Sequence, residues 1–155
     1  MISDERNTIG KEYNMITLGI DFGDKRMGLA ICDREERLAV SIETVPVRGA
    51  RDAAEKAALA AKVRGAVRIV VGMPARSDGY RGERCEKTEV FLGFLRAETE
   101  CEVLVWDERF TTVQAHSLLY DAGLEGREHK NCVDALSAQL ILQSFLDANK
   151  EGQKS

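Results

Sequence analysis

The chain has 155 residues, 44% apolar and 31% charged, which is the composition of a soluble globular domain of ordinary size. Its formal net charge of −4 argues against a protein that coats nucleic acid non-specifically through overall positive charge, though not against a local basic patch. No apolar stretch approaches the roughly 18–20 residues of a membrane helix, and no apolar h-region follows Met1, so neither a membrane segment nor an export signal is expected and the chain is placed in the cytoplasm.

Residues 1–14 are polar and without periodicity, and are expected to form a flexible leader. Two apolar runs then flank a polar turn. Ile16 to Ile20 is the first strand and ends in Asp21; Met27 to Cys32 is the second; Gly23, Asp24, Lys25 and Arg26 between them supply hairpin chemistry. After the charged turn 34–37, Leu38 to Val45 alternates as a third, half-buried strand, with Val40, Ile42 and Thr44 on one face. Ala50 to Arg64 is rich in Ala, Lys and Glu and predicts a helix that stops at Gly65. The β-branched run Val67 to Val71 fits a buried parallel strand leading to Gly72-Met73-Pro74.

A polar loop, Ala75 to Glu83, precedes a second helix reaching Glu98, with Cys85, Thr88, Phe91, Leu92 and Leu95 on one face. Glu102 to Trp106 is a fifth strand, followed by Asp107-Glu108-Arg109. A third helix is expected from a Thr111 or Thr112 cap to Ala122, ending at Gly123. After the charged loop 124–130, Asn131 caps a last helix from Cys132 to about Asp147. Residues 15–149 thus form one α/β domain, and 150–155 a flexible tail. The order β-β-β-α-β-α-β-α-α predicts three antiparallel strands followed by parallel βαβ units, a mixed five-stranded sheet flanked by helices. This is the layout of the ribonuclease H-like fold.

Ligands in such sheets gather beyond the carboxyl ends of the parallel strands. Asp21 stands at the end of the first strand and Asp107-Glu108 at the end of the fifth, where alternation lets one of the two acids face the site. Asp134 opens the last helix and heads a stripe, Ala138, Ile141 and Leu142, that otherwise packs inward. Each acid has a plainer reading: a turn-entry Asp, a solvated acidic pair, and an Asp favoured by the helix dipole. Together they make a three-carboxylate cluster. Oxygen ligands without His or Cys suit a hard cation, Mg²⁺ or Mn²⁺, and paired ions of that kind clamp the attacking and leaving oxygens of a phosphodiester. Lys25, Arg26, Arg76, Arg81, Arg84, Arg109 and Lys130 fall in the turn and loops around that edge, where they could contact flanking phosphates; Arg26 and Arg109 adjoin proposed acids. The four cysteines, at 32, 85, 101 and 132, form no C-x-x-C pair and, with His116 and His129 the only histidines, no zinc-type cluster. They are expected to be buried thiols; pairing among them is left open.

The stretch Asp21-Phe-Gly-Asp-Lys-Arg-Met-Gly-Leu-Ala resembles the opening motif of the YqgF family, also called RuvX, a family of Holliday junction resolvase-like proteins and pre-16S rRNA nucleases. Gly72-Met-Pro with Asp78-Gly-Tyr-Arg-Gly resembles its middle motif, Asp107-Glu-Arg-Phe-Thr-Thr its third, and His129-Lys-Asn-Cys-Val-Asp-Ala-Leu-Ser-Ala-Gln its last. The resemblance covers about residues 15 to 147, with Phe22, Tyr80 and Ser137 as mild departures that touch no proposed ligand. It implies a metal-dependent ribonuclease H-like nuclease that trims the 5′ side of precursor 16S rRNA, with Asp21, Glu108 and Asp134 as catalytic acids and metal ligands, selecting Glu108 over Asp107. Its implied partners are precursor rRNA and ribosomal particles, and the protein would act as a monomer or homodimer.

Two other readings use the same residues: a resolvase cutting branched DNA, and a non-catalytic nucleic-acid-binding module, against which the presence of all three acids counts. A sugar-kinase or actin-type ATPase shares the Asp-x-Gly hairpin but needs a second lobe, for which 155 residues leave no room.

Overall fold

The computed structural model describes residues 15–33, 35–74, 82–108 and 136–149. Five strands form one sheet in the order β3-β2-β1-β4-β5: β1 (Thr17–Phe22), β2 (Arg26–Cys32), β3 (Ala39–Pro46), β4 (Arg68–Met73) and β5 (Glu102–Asp107). The helices are α1 (Ala50–Arg64), α2 (Glu83–Glu98) and α3, which takes in residues 136–149. As the sequence predicts, β1 and β2 and then β2 and β3 are antiparallel, whereas β1, β4 and β5 are parallel neighbours. The leader 1–14, most of the 75–83 loop, the predicted helix from Thr111 or Thr112 to Ala122, the 124–130 loop, the Asn131 cap, His116, His129, Cys132 and the 150–155 tail lie outside the described residues.

Alternation along the strands gives the sheet two apolar faces. Leu18, Ile20, Phe22, Met27, Leu29, Ile69 and Val71 point to α1 and α2. Four alanines of α1 (Ala53, Ala54, Ala57 and Ala61) are fully buried against that face, where their small side chains let the helix lie close. The α2 stripe read from sequence is the buried one, and its Phe91 stacks on Phe22 with ring centroids 4.5 Å apart. At the end of α1, Gly65 takes φ 72° and the Ala66 N–H reaches back to the Ala61 carbonyl at 2.8 Å, a glycine-type helix stop.

The opposite face is covered by α3. Ala138, Ile141, Leu142, Phe145 and Leu146 pack on Ala30, Cys32, Ala39 and Val70, flanked by Leu104 and Trp106. The helix has a definite direction over the sheet. Phe145 lies at the start of the parallel strands, 4.9 Å beneath the guanidinium of Arg68, which donates to Thr17 Oγ1 at 3.1 Å and pairs with Glu36. One turn and two turns earlier, Leu142 and Ala138 sit over Gly19. The helix therefore runs antiparallel to β1 and β4, and its N-terminal end points to their carboxyl edge.

Pairing of β1 with β2 runs through Asp21↔Gly28 to Phe22↔Met27, so Asp21 stands near the end of the first strand, as expected, with Phe22 beyond it still in the ladder. One strand expectation needs correction. In β3, Leu29 pairs with Glu43 but Ala30 with Ser41, leaving Ile42 as an extra residue. This bulge reverses the alternation, so Val40 is 47% exposed while Ile42 and Val45 both pack on the α1/α2 side. The described cysteines, Cys32, Cys85 and Cys101, are free thiols. Burial pushes the Cys32 thiol up, and its sulfur accepts the Thr17 N–H at 3.1 Å. Among the described residues no helix is long and apolar enough to cross a membrane.

Candidate active site

The carboxyl edge of β1, β4 and β5 is where the predicted acids should meet. Asp21 shares the parity of Gly19, whose face α3 covers, so its carboxylate stands on the α3 side near the sheet edge, half-buried. In the parallel pairing Ile20 lies beside Val71, which makes Gly72 the neighbour of Asp21 on β4. Gly72 in turn pairs with Trp106 of β5. Trp106 belongs to the α3 side, meeting Phe145 edge-on at 5.9 Å. Glu108, two residues further, keeps that side and folds back across β4. A Cβ built on Gly72 would lie 3.0 Å from Glu108 Oε1, 3.1 Å from its Cγ and 2.4 Å from Ile141 Cδ1.

Two carboxylates thus occupy one face of the sheet on adjoining positions, with strands about 4.8 Å apart and the start of α3 directed toward them. Asp107 has the opposite parity, which is the physical basis for preferring Glu108. Asp134 lies outside the described residues; it stands two positions before Leu136, where the described part of α3 begins. Among the described residues no group of three acids, histidines or cysteines is gathered as a metal cluster.

Of the basic candidates, Lys25 and Arg26 are exposed on the hairpin that carries Asp21, and Arg26 has the parity of Gly28, the ladder partner of Asp21. Arg84 is exposed in the first turn of α2. Arg76, Arg81, Arg109 and Lys130 lie outside the described residues. The hairpin tip is tied down from both sides. The backbone carbonyls of Asp24 and Lys25 accept the Gly49 and Val47 N–H groups at 3.1 and 2.9 Å. The Asp24 carboxylate meets the Lys87 ammonium at 2.8 Å, and Lys87 also reaches Glu83 at 3.2 Å.

The hydrogen bond and charge of Lys87 hold the Asp24 carboxyl below its ordinary value, and Asp24 and Glu83 push Lys87 up. The pair's contribution is therefore complete above the unfolded-state value of Asp24 and is lost as pH falls through the folded-state value. In a carboxyl-carbon NMR titration Asp24 should have a midpoint below that of a free aspartate, and Lys87→Ala should move it upward. An unchanged midpoint in the variant would show that Lys87 is not the cause.

The sequence reading did not assign a role to Gly72. Its signal was a glycine breaking the β-branched run at a strand end, which marks a close approach by another group.

A five-stranded mixed sheet in this order, with helices on both faces and acids at the carboxyl edge of the parallel strands, defines the ribonuclease H-like fold. The structure is similar to Thermus thermophilus RuvC in complex with its Holliday junction substrate, with a TM-score of 0.58 at 16% identity over 89% of this chain and 97% of that one. The chain belongs to the RuvX family, described as Holliday junction resolvase, whose profile matches residues 15–148. That family is one of nucleases, hydrolases of phosphodiester bonds. A relative from Syntrophus aciditrophicus, 39% identical over 86% of this chain and 89% of its own length, is named "Putative pre-16S rRNA nuclease". One of the same name from Pelotomaculum thermopropionicum is 36% identical over 86% of this chain and 88% of its own.

Proposed function

We propose that this chain is a divalent-metal-dependent nuclease that hydrolyses phosphodiester bonds in the 5′ maturation of precursor 16S rRNA, with Asp21, Glu108 and Asp134 as its catalytic acids. The observation that carries the chemistry is the Glu108 carboxylate lying over Gly72, beside Asp21 on the same face. The substrate is supported by the names of the curated relatives.

The donor set fits a hard cation. Asp21 and Glu108 offer only oxygen, as does Asp134, and neither His nor Cys accompanies them in the proposed set. When bound, Mg²⁺ or Mn²⁺ supplies Lewis-acid charge at the phosphate and acidifies the attacking water. The protein's own part is to hold carboxylates in place before substrate arrives. The β1–β2 ladder holds the backbone that carries Asp21, and Glu108 lies in the gap at Gly72, which lowers the cost of ordering the two acids during the reaction. Lys25 and Arg26 on the same hairpin, with Arg76, Arg81, Arg109 and Lys130, would hold flanking phosphates and offset the repulsion between acids and backbone. Precursor rRNA within ribosomal particles, in the cytoplasm, is the setting this reading implies.

The family description favours a second reading, cleavage of branched DNA. Purified protein should be given a precursor 16S rRNA fragment and a four-way DNA junction in parallel, each with Mg²⁺, Mn²⁺ or chelator. The expected result is metal-dependent cleavage of the rRNA fragment. Preferential cutting of the junction would transfer the assignment to the second reading, and undiminished cutting with chelator would refute the metal mechanism.

A further inference from the structure

We propose that Gly72 is a positioning residue for the catalytic carboxylate Glu108: its missing side chain is the space through which Glu108 reaches across β4 to Asp21. The inference rests on the reading of the acids given above and extends it to a residue with no chemistry of its own.

Gly72 lies between the two acids in the sheet. It follows Val71, the partner of Ile20, so continuing the register sets it beside Asp21, and on its other side it pairs with Trp106. Glu108 belongs to the chain beyond β5, two strands away from β1. Its side chain lies over the β4 backbone at Gly72, on the face of the sheet that carries Asp21. At Gly72 that backbone carries nothing, and Glu108 Oε1 and Cγ lie 3.0 and 3.1 Å from the point a Cβ would occupy. Ile141 of α3 fills the same gap from above, its Cδ1 2.4 Å from that point.

A methyl group at position 72 would therefore displace two neighbours of different kinds. Ile141 presents the far end of a flexible side chain, which can rotate or be shortened. Glu108 presents the Cγ next to its carboxylate, so displacement there moves the charged oxygens themselves. Gly19, also beneath α3, offers the contrast: a Cβ there would meet Leu142 Cβ at 2.8 Å and the Ala138 carbonyl at 3.1 Å, which are groups of α3 alone. Gly19 admits the helix; Gly72 admits both the helix and the acid.

The two functions of Gly72 separate in a double variant. Ile141→Val removes the Cδ1 that a new Cβ would strike and leaves Glu108 in place. Wild type, Ile141→Val, Gly72→Ala with Ile141→Val, and Asp21→Asn should be compared by thermal unfolding, by Mn²⁺ titration of the metal-free protein in a calorimeter, and by steady-state cleavage. The expected result is that Ile141→Val alone binds Mn²⁺ as wild type does. The Gly72→Ala double variant should melt close to Ile141→Val yet bind Mn²⁺ more weakly by about 10-fold or more, the usual range for loss of a group that orients a ligand. Its kcat should fall while KM stays within about threefold, because phosphate contacts on the hairpin are untouched.

Wild-type Mn²⁺ affinity in the folded double variant would overturn the inference, reducing Gly72 to a packing residue. A double variant that does not fold would overturn it as well, since the glycine would then be required by the core. Failure of the underlying site reading has a different signature: Asp21→Asn would bind Mn²⁺ like wild type, or wild type would bind none, and the Gly72 proposal would fall with it.

Discussion

Asp21→Asn should lower cleavage by on the order of 10³-fold, about 4 kcal/mol of transition-state stabilisation at 1.36 kcal/mol per decade. The substitution is nearly isosteric. It removes the charge and leaves the backbone of residue 21 in its ladder with Gly28, between Ile20↔Leu29 and Phe22↔Met27. The loss should therefore be chemical and not structural. Thermal unfolding is the control: the variant should melt within a few degrees of wild type, because the substitution keeps the side chain's size and the backbone pairing. Single-turnover cleavage with saturating protein and Mn²⁺ reads the chemical step directly. Activity within tenfold of wild type would show that Asp21 is not a reacting-site ligand.

Phe91→Ala should cost about 3–5 kcal/mol of stability, enough to lower the melting temperature by on the order of 10 °C in a domain of this size. Phe91 is completely buried, stacks on Phe22 at 4.5 Å with 8° between the ring planes, and bridges α2 to β1. Phe22 follows Asp21 directly, so the ring pair supports the strand end that presents the acid. Loss of the ring leaves a cavity that the sheet, paired on both sides of β1, cannot collapse to fill. Chemical denaturation with an unchanged m-value would assign the loss to packing. A cost below about 1 kcal/mol would mean that neighbouring residues rearrange into the space.

Much of the fold was legible because its periodicities are clean. The α1 and α2 spans, the Gly65 stop, the buried stripe of α2 and the parallel placement of β1, β4 and β5 all follow from apolar spacing and turn chemistry. Asp21 was legible as an acid closing an apolar run. Between Asp107 and Glu108 the strand pattern alone does not choose; the family resemblance selects Glu108, and Trp106 against Phe145 shows that this parity of β5 faces α3. The bulge at Ile42 left no trace, since Ser41-Ile42-Glu43 alternates as smoothly as an unbroken strand. The closeness at Gly72 depends on what three separate segments bring to one point, and no local pattern encodes that. Asp134, Arg76, Arg81, Arg109 and Lys130 lie outside the described residues.

The pairing of α3 with β3 bears on how the sheet behaves in a crowded cell. A sheet edge is a template on which foreign strands can grow, and β3 is one edge of this sheet. At its first residue both main-chain groups are already taken: Ala39 N–H donates to Gln143 Oε1 at 2.8 Å, and its carbonyl accepts from Gln139 Nε2 at 3.1 Å. Ser41 Oγ donates to Gln139 Oε1 at 2.7 Å, and the Arg37 carbonyl accepts from Gln143 Nε2 at 3.0 Å. Two glutamines one helical turn apart thus occupy the place of a neighbouring strand at the start of β3. The same helix that covers the sheet face carrying Asp21 shields the start of this border from a foreign strand.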